Sequence, residues 1–122
     1  MWQVSEEQFH KFIEQSLKEL PKVHIKALDN VAIIVEDIPS QEKKLELGLQ
    51  PGQTLFGLYE GVPLSQRQGN KKVLPDKITL YKLPIESSVS NEQELKEQIK
   101  HTLWHEIAHY YGLDHKAIAE LE

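Results

Sequence analysis

The chain contains no cysteine, and this absence excludes several kinds of site. Disulfides and thiolate-bound zinc, as in zinc fingers, are ruled out, so a metal would have to be held by histidine, aspartate, glutamate or water. Long apolar runs are missing too: none approaches the roughly 18 residues that a membrane span needs. Residues 1–12 lack the basic and then apolar pattern of a secretory signal. We therefore expect a cytoplasmic protein that does not enter a membrane.

Positive charge is also scarce. The chain has 14 lysines and arginines against 19 aspartates and glutamates, a net charge of −5, and a sequence pI of about 5.7. Binding to the phosphates of nucleic acids needs concentrated positive charge, so this balance argues against a nucleic-acid partner. The length of 122 residues is that of one small domain, and we expect residues 1–122 to form it.

Hydrophobic periodicity predicts a helix near the start of the chain and short strands after it. Apolar residues recur at helical spacing from Ser5 to Leu20, and Ser5 with Gln8 forms a capping-box pattern. Short apolar or alternating runs predict three strands, with a short helical turn between the first two and a long connection over 61–76 before the third. These strands are expected at 31–35, 55–59 and 77–83.

A second long helix is predicted near the end of the chain. It should begin at an N-cap on Ser90, with Gln93 at the capping-box position, and run through Tyr111. Gly112 should close it in a left-handed conformation. The expected fold is α+β: an N-terminal helix, a small mixed or antiparallel sheet of three or four strands, and this C-terminal helix.

The second helix carries the motif His-Glu-Ile-Ala-His over residues 105–109. Histidines four residues apart lie on one side of a helix, where both imidazoles can reach one metal ion at roughly 2.0–2.1 Å. Glu106 is turned by about 100° from His105, close to that metal but poorly placed to replace a histidine. A zinc-bound water has its pKa lowered to about 7, and a carboxylate beside it can take its proton as the water attacks a carbonyl. The motif predicts one Zn2+ on His105 and His109, with Glu106 as general base.

Two histidines need a further protein ligand, and the donors that follow Gly112 are Asp114 and His115. His115 completes the spacing His-x3-His-x5-His, which lets the returning chain bring an imidazole to the ion. Asp114 can instead cap a short last helix over 116–121 or orient a ligand histidine. We expect His115 to be the third ligand, with Asp114 as the alternative and Glu120 as a more remote one.

Other features around the motif have less specific interpretations. His101, one turn earlier on the helix, is expected at the rim of the site or paired with Glu97. An extended substrate would pair with a strand edge beside the metal, which either 55–59 or 77–83 could provide. Tyr110 is a candidate for stabilising the oxyanion, whereas Tyr111 is assigned to the core.

The residues resemble those of known metallopeptidases. HEIAHYYGLDH is similar to the zincins and has the longer HExxHxxGxxH form of metzincins, but the methionine turn of metzincins has no counterpart, because the sole methionine is Met1. The helix ending in Leu-Pro, LDNVAIIVED, GLYEGVPLSQR, KITLYKLP and the motif helix resemble the small bacterial family of minimal zincin-like metallopeptidases. That resemblance implies a compact α+β fold, His105 and His109 as ligands, and Glu106 as the acid/base of peptide hydrolysis.

A second resemblance leads to a different activity. The metal-dependent endoribonucleases of bacterial rRNA maturation end in a similar pattern, matched here by His105, His109, Gly112, Asp114 and His115, and there three histidines bind zinc. That family typically has glycine where Glu106 stands, and its Thr-Asp-Val-Leu-Ser-Phe segment has no counterpart. We therefore predict a zinc metallopeptidase acting on a peptide or protein. RNA cleavage and a metal-stabilised binding module without turnover are the alternatives, and a regulatory protein partner is a further hypothesis.

Overall fold

The computed structural model of the protein describes residues 3–20, 31–49, 55–61 and 76–112. The elements, in chain order, are α1 (Glu6–Glu19), β1 (Val31–Glu36), α2 (Gln41–Glu46), β2 (Gly57–Glu60), β3 (Asp76–Tyr81), α3 (Lys82–Ser87) and α4 (Glu92–Tyr110). Over these residues the fold is α+β, as predicted, with four helices and one three-stranded sheet. No helix in the described part of the chain is long and apolar enough to cross a membrane.

The sheet is mixed, and β3 lies at its centre. The strand order is β1-β3-β2; β1 pairs with β3 in parallel and β2 pairs with it antiparallel. Ile78 of β3 is opposite Ile33 on one side and Tyr59 on the other. The expectation that 77–83 could offer an edge is therefore wrong, because both sides of β3 are occupied. In the described sheet, β2 is an edge strand.

β3 ends two residues earlier than the sequence predicts. It stops at Tyr81, and α3 begins at once with Lys82. Pro84 explains the change: it has no N–H to give to a strand ladder, but it fits the first turn of a helix, where an N–H would have no helical acceptor. Leu83, expected to continue the strand, donates its N–H to the carbonyl oxygen of Asp37 at 3.0 Å.

α4 begins one residue later than predicted. Its N-cap is Asn91, whose Oδ1 accepts from the N–H of Glu94 at 2.9 Å. Ser90, the predicted cap, instead donates its N–H to Oε1 of Glu94 at 2.8 Å. Asparagine caps helices as well as serine does, and Glu94, three residues after this cap, returns its carboxylate to the N–H of Ser90, one residue before the cap.

The two long helices pack against each other, and α4 also packs against β2 and β3 of the sheet. Their shared core is built from fully or almost fully buried apolar side chains, among them Phe9, Phe12, Ile13, Ile78, Leu80, Leu95, Ile99, Leu103 and Ile107. Each such side chain contributes about 1.5–3 kcal/mol when it leaves water. The second half of α4 is thus held on a rigid support, and the motif on it has a fixed orientation.

Candidate active site

His105 and His109 lie next to each other on the accessible side of α4. Their ring centroids are 4.7 Å apart and their planes are inclined by 52°. Both side chains are half-buried, whereas Ile107 and Ala108 between them are fully buried in the core. The helix therefore presents two adjacent imidazoles on a fixed backbone. The nitrogen atoms of neutral imidazoles are common ligands of zinc.

The expected third ligand lies outside the described residues. His115, its alternative Asp114 and the more remote Glu120 all follow residue 112, so their roles stay predictions. Within the described ranges, no third histidine, aspartate or glutamate joins His105 and His109 in a group that could hold a metal.

The glycine that follows the helix adopts the conformation that the sequence predicts. Gly112 has φ 85°, a left-handed value that favours glycine, and its N–H donates to the carbonyl oxygen of His109 at 2.9 Å. The helix therefore stops within one turn of its second histidine.

The carboxyl group of Glu106 connects the motif helix to the sheet. The backbone N–H of Tyr59 in β2 donates to its Oε1 at 2.9 Å, and Nδ1 of His109 lies 3.6 Å from the same oxygen. Glu106 is only 7% exposed. Burial raises the pKa of Glu106 to about 7, although the hydrogen bond from Tyr59 acts in the opposite direction. A carboxyl group that titrates near neutrality can both accept and return a proton there.

Gly57 allows β2 to approach α4 this closely. A Cβ at this position would lie 2.8 Å from Cγ2 of Thr102 and 3.2 Å from Cγ of Glu106. Any larger residue would push the strand away from the helix and from Glu106. The strand predicted over 55–59 includes Gly57, but the strand pattern assigned no special role to this glycine. A glycine inside a strand pattern was the available signal, since such glycines often mark a close backbone approach.

Tyr110 is more deeply buried than expected, while Tyr111 packs against the core as predicted. Tyr110 is 2% exposed, and its ring packs edge-on against Tyr59 with centroids 5.9 Å apart, whereas Tyr111 is half-buried. Tyr110 follows Ile107 by three residues and continues the buried side of α4. The idea that Tyr110 stabilises an oxyanion is not supported by this burial.

A cleft of about 410 Å³ opens between β2 and α4, immediately beside the motif. Its strand wall starts just before β2, and its helix wall includes both Glu106 and His105. The lining residues are Leu55, Phe56, Gly57, Gln98, His101, Thr102, His105 and Glu106. The ring centroid of His101 is 6.3 Å from that of His105, and the side chain is exposed, which puts His101 at the rim.

Comparisons with known proteins bear on the same part of the chain. Residues 28–122, which include the motif, match the family model described as zincin-like metallopeptidase. The chain belongs to the zincin-like metallopeptidase family. The resemblance drawn from the motif and its flanking segments is thereby confirmed.

One solved structure shares the fold of this zincin-like protein. It is a conserved hypothetical protein from Thermus thermophilus, with a TM-score of 0.60 and 20% sequence identity, and the match covers 97% of this chain and 100% of that one. At this identity the similarity concerns the fold alone. Among curated proteins, no sequence matches the chain.

Proposed function

We propose that this zincin-like protein is a zinc metallopeptidase that cleaves peptide bonds in a peptide or protein substrate, with Glu106 as its general base. One observation carries the proposal. The buried carboxyl group of Glu106 contacts two parts of the site. Its Oε1 is 3.6 Å from Nδ1 of His109 and accepts a hydrogen bond of 2.9 Å from the N–H of Tyr59 in the edge strand β2. Ligand, base and a strand edge for the substrate thus meet at one place.

The donor set fits a zinc ion. His105 and His109 present adjacent imidazoles on a rigid helix, with ring centroids 4.7 Å apart, and the chain has no thiolate that would favour another kind of site. His115 is our candidate for the third ligand and Asp114 the alternative. When bound, one Zn2+ would lower the pKa of a coordinated water and polarise the substrate carbonyl.

Glu106 would transfer a proton between the attacking water and the leaving group. Its carboxylate would take a proton from the attacking water and return it to the leaving amine. The hydrogen bond from Tyr59 fixes one carboxyl oxygen, and a carboxylate has further acceptor positions for a water. In the metal-free protein burial raises the pKa of Glu106 to about 7, and a carboxyl group with a raised pKa holds a proton more readily before returning it to the leaving amine.

β2 would hold the substrate. An extended peptide can add to an exposed strand edge through backbone hydrogen bonds. Backbone groups alternate in direction along a strand, so those of Gly57 face the same side as the N–H of Tyr59, toward the cleft and Glu106. A peptide paired there would run past the base.

The first experiment is to measure the zinc content of the purified protein and the cleavage of a mixed peptide library by mass spectrometry. Glu106→Gln should keep the zinc and lose at least about 100-fold in rate, because the proton acceptor is gone. Glu97→Gln, an exposed carboxyl on the same helix, is the matched control and should cleave normally. Equal cleavage by the Glu106→Gln protein would reject Glu106 as base.

The same samples test the alternatives. Degradation of single-stranded RNA by both proteins, without peptide cleavage, would identify a nuclease. Bound zinc without either activity would leave a metal-stabilised binding module. A protein that takes up no zinc, even after reconstitution, would remove the basis of all three functions.

A further inference from the structure

We propose that Gln98 and His101 are specificity determinants, which select a substrate side chain ending in a carboxamide or carboxylate oxygen in the cleft beside Glu106. The inference rests on the proposed peptidase function and adds the class of side chain that the site accepts. Both residues line the helix wall of the cleft, on the same stretch of α4 as His105 and Glu106. A side chain bound there would belong to a residue next to the bond being cleaved.

Gln98 is the better fixed of the two donors. Its Nε2 donates to Oγ1 of Thr102 at 3.0 Å, and Thr102 is only 5% exposed. The carboxamide is therefore held by a buried partner and does not have to be ordered by the ligand, which reduces the entropic cost of binding. A primary amide nitrogen carries two N–H groups, so the bond to Thr102 uses one and a second can serve a ligand oxygen.

His101 adds a second donor on the same wall. It precedes His105 by one helical turn, and the two ring centroids are 6.3 Å apart. An imidazole carries at least one N–H in every protonation state. Among the described residues that line the cleft there is no lysine or arginine, and Glu106 is the one carboxyl group. Gln98 and His101 lie N-terminal to Glu106 on α4, so the stretch of wall that they form presents N–H donors to a ligand that accepts hydrogen bonds.

The opposite wall of the cleft is apolar and would contact the methylene groups of a substrate side chain. Leu55 and Phe56 form it together with Gly57, where the strand lies closest to Thr102 and Glu106 of the helix wall. The volume of about 410 Å³ exceeds that of a single side chain and leaves room for flanking backbone. Glutamine and glutamate both combine a two-carbon stem with a terminal oxygen, so they share the chemistry that the cleft recognises.

The test measures binding separately from cleavage. Alanine-based peptides that differ at one central residue, which is glutamine, glutamate, leucine or lysine, are titrated into the zinc-loaded Glu106→Gln protein by isothermal calorimetry. The glutamine and glutamate peptides should bind about tenfold more tightly than the leucine peptide, the gain expected of one or two partly exposed hydrogen bonds. The lysine peptide should bind no better than the leucine peptide.

Variants assign the preference to its residues. In the same Glu106→Gln background, Gln98→Ala and His101→Ala should each reduce the preference, while binding of the leucine peptide stays unchanged. Gln93→Ala and His10→Ala are matched controls, because Gln93 lines a different groove between α1 and α4 and His10 is an exposed residue of α1. Gln98→Glu keeps the side-chain length but replaces the donor by an acceptor, so it should shift the preference toward the lysine peptide. This variant keeps the proposal testable if Gln98→Ala fails to fold.

Each outcome has a definite meaning when the wild-type protein is tested for cleavage of the same peptides. Equal binding of all peptides, or an effect of Gln93→Ala equal to that of Gln98→Ala, overturns the inference even if the peptides are cleaved. Selective binding that depends on Gln98 and His101, without cleavage by the wild type, keeps the inference and rejects the metallopeptidase. Absence of any peptide binding rejects both.

Discussion

The backbone N–H of Tyr59 donates a hydrogen bond of 2.9 Å to Oε1 of Glu106. This bond joins the edge strand β2 to the motif helix α4, two elements that lie far apart in the sequence. Since Glu106 is buried, the bond also compensates part of the cost of placing a carboxyl group there. The strand edge that would bind a peptide therefore also positions the group that would act on it.

The first prediction concerns the close approach of β2 to α4. Gly57→Ala should lower the free energy of unfolding by about 1–3 kcal/mol, the usual cost of overpacking, because the new Cβ meets Thr102 Cγ2 at 2.8 Å. Peptide cleavage should fall as well, since the strand must move away from Glu106. Urea unfolding and peptide cleavage by the same variant provide the measurement.

A second substitution separates this contact from a general effect of alanine. Thr102→Ser removes Cγ2 and keeps the hydroxyl that accepts from Gln98. Combined with Gly57→Ala, it should recover part of the lost stability, and only part, because Glu106 Cγ would still lie 3.2 Å from the new Cβ. Strictly additive effects in this double-mutant cycle would show that the two positions do not interact.

The second prediction concerns the pH dependence of stability in the metal-free protein. Burial raises the pKa of Glu106 from 4.5 to about 7, so the folded state holds its proton more tightly than the unfolded state does. This contribution to stability is fully present below pH 4.5 and is lost as the pH rises through about 7. With chelator present, Glu106→Gln should be more stable than the wild type at pH 8, by about 1–3 kcal/mol.

Urea unfolding of both proteins between pH 4.5 and pH 8.5 checks the sign. The difference should shrink as the pH falls, because the wild-type carboxyl becomes neutral like the amide. A difference that stays constant over this range would contradict a raised pKa at Glu106. Glu97→Gln, at an exposed position, serves as the control and should give curves parallel to those of the wild type.

The third prediction concerns metal binding. Zinc at about 100 times its Kd should raise the free energy of unfolding by about 2.7 kcal/mol, because it binds the folded state. His109→Ala should lose most of this gain, whereas the exposed His10 on α1 should be replaceable by alanine without effect. Thermal unfolding with zinc and with chelator measures the difference. Equal stabilisation of the His109→Ala protein would place the metal elsewhere.

The same measurement applies to the third ligand. His115→Ala should weaken zinc binding strongly, and Asp114→Ala more mildly, as expected for a residue that caps a helix or orients a ligand. The reverse order would make Asp114 the ligand. Competition with a chromogenic chelator gives the two affinities directly.

The fourth prediction concerns a buried ion pair distant in sequence from the motif. Glu86 is 1% exposed and accepts from Nζ of Lys82 at 3.1 Å and from the N–H of Val4 at 2.8 Å. Lys82→Met should cost about 3–5 kcal/mol, since it leaves a buried carboxylate without its counter-charge. Adding Glu86→Gln should restore much of that loss, because it removes the charge and keeps an acceptor for Val4. Urea unfolding of the single and double variants measures both effects.

An exposed pair on α1 gives the comparison. Lys11 and Glu7 are 3.8 Å apart and both are largely exposed. Lys11→Met should change the free energy of unfolding by no more than about 1 kcal/mol, as surface pairs generally do. A cost as large as that of Lys82→Met would show that burial is not the reason for the difference.

Local features were predictable because they depend on neighbouring residues. The cap of α1 at Ser5 is confirmed, with its Oγ accepting from the N–H of Gln8 at 3.0 Å, and so is the left-handed Gly112. The predicted N-cap of α4 differs from the observed one by a single residue, because Ser90 and Asn91 are both good caps. Pro84 was the missed signal at the end of β3, since a proline is poorly suited to a central strand.

The sequence by itself determined which residues could form the site. Helical spacing puts His105 and His109 on one side of α4, and the motif identified the family, because these relationships depend only on the helix repeat and on residue type. The tertiary structure decided what surrounds them. It set the strand order, the approach of β2 to α4 at Gly57 and the hydrogen bond from Tyr59 to Glu106. These contacts join segments that are far apart in the chain, and they depend on how the whole core packs, which no local sequence pattern predicts.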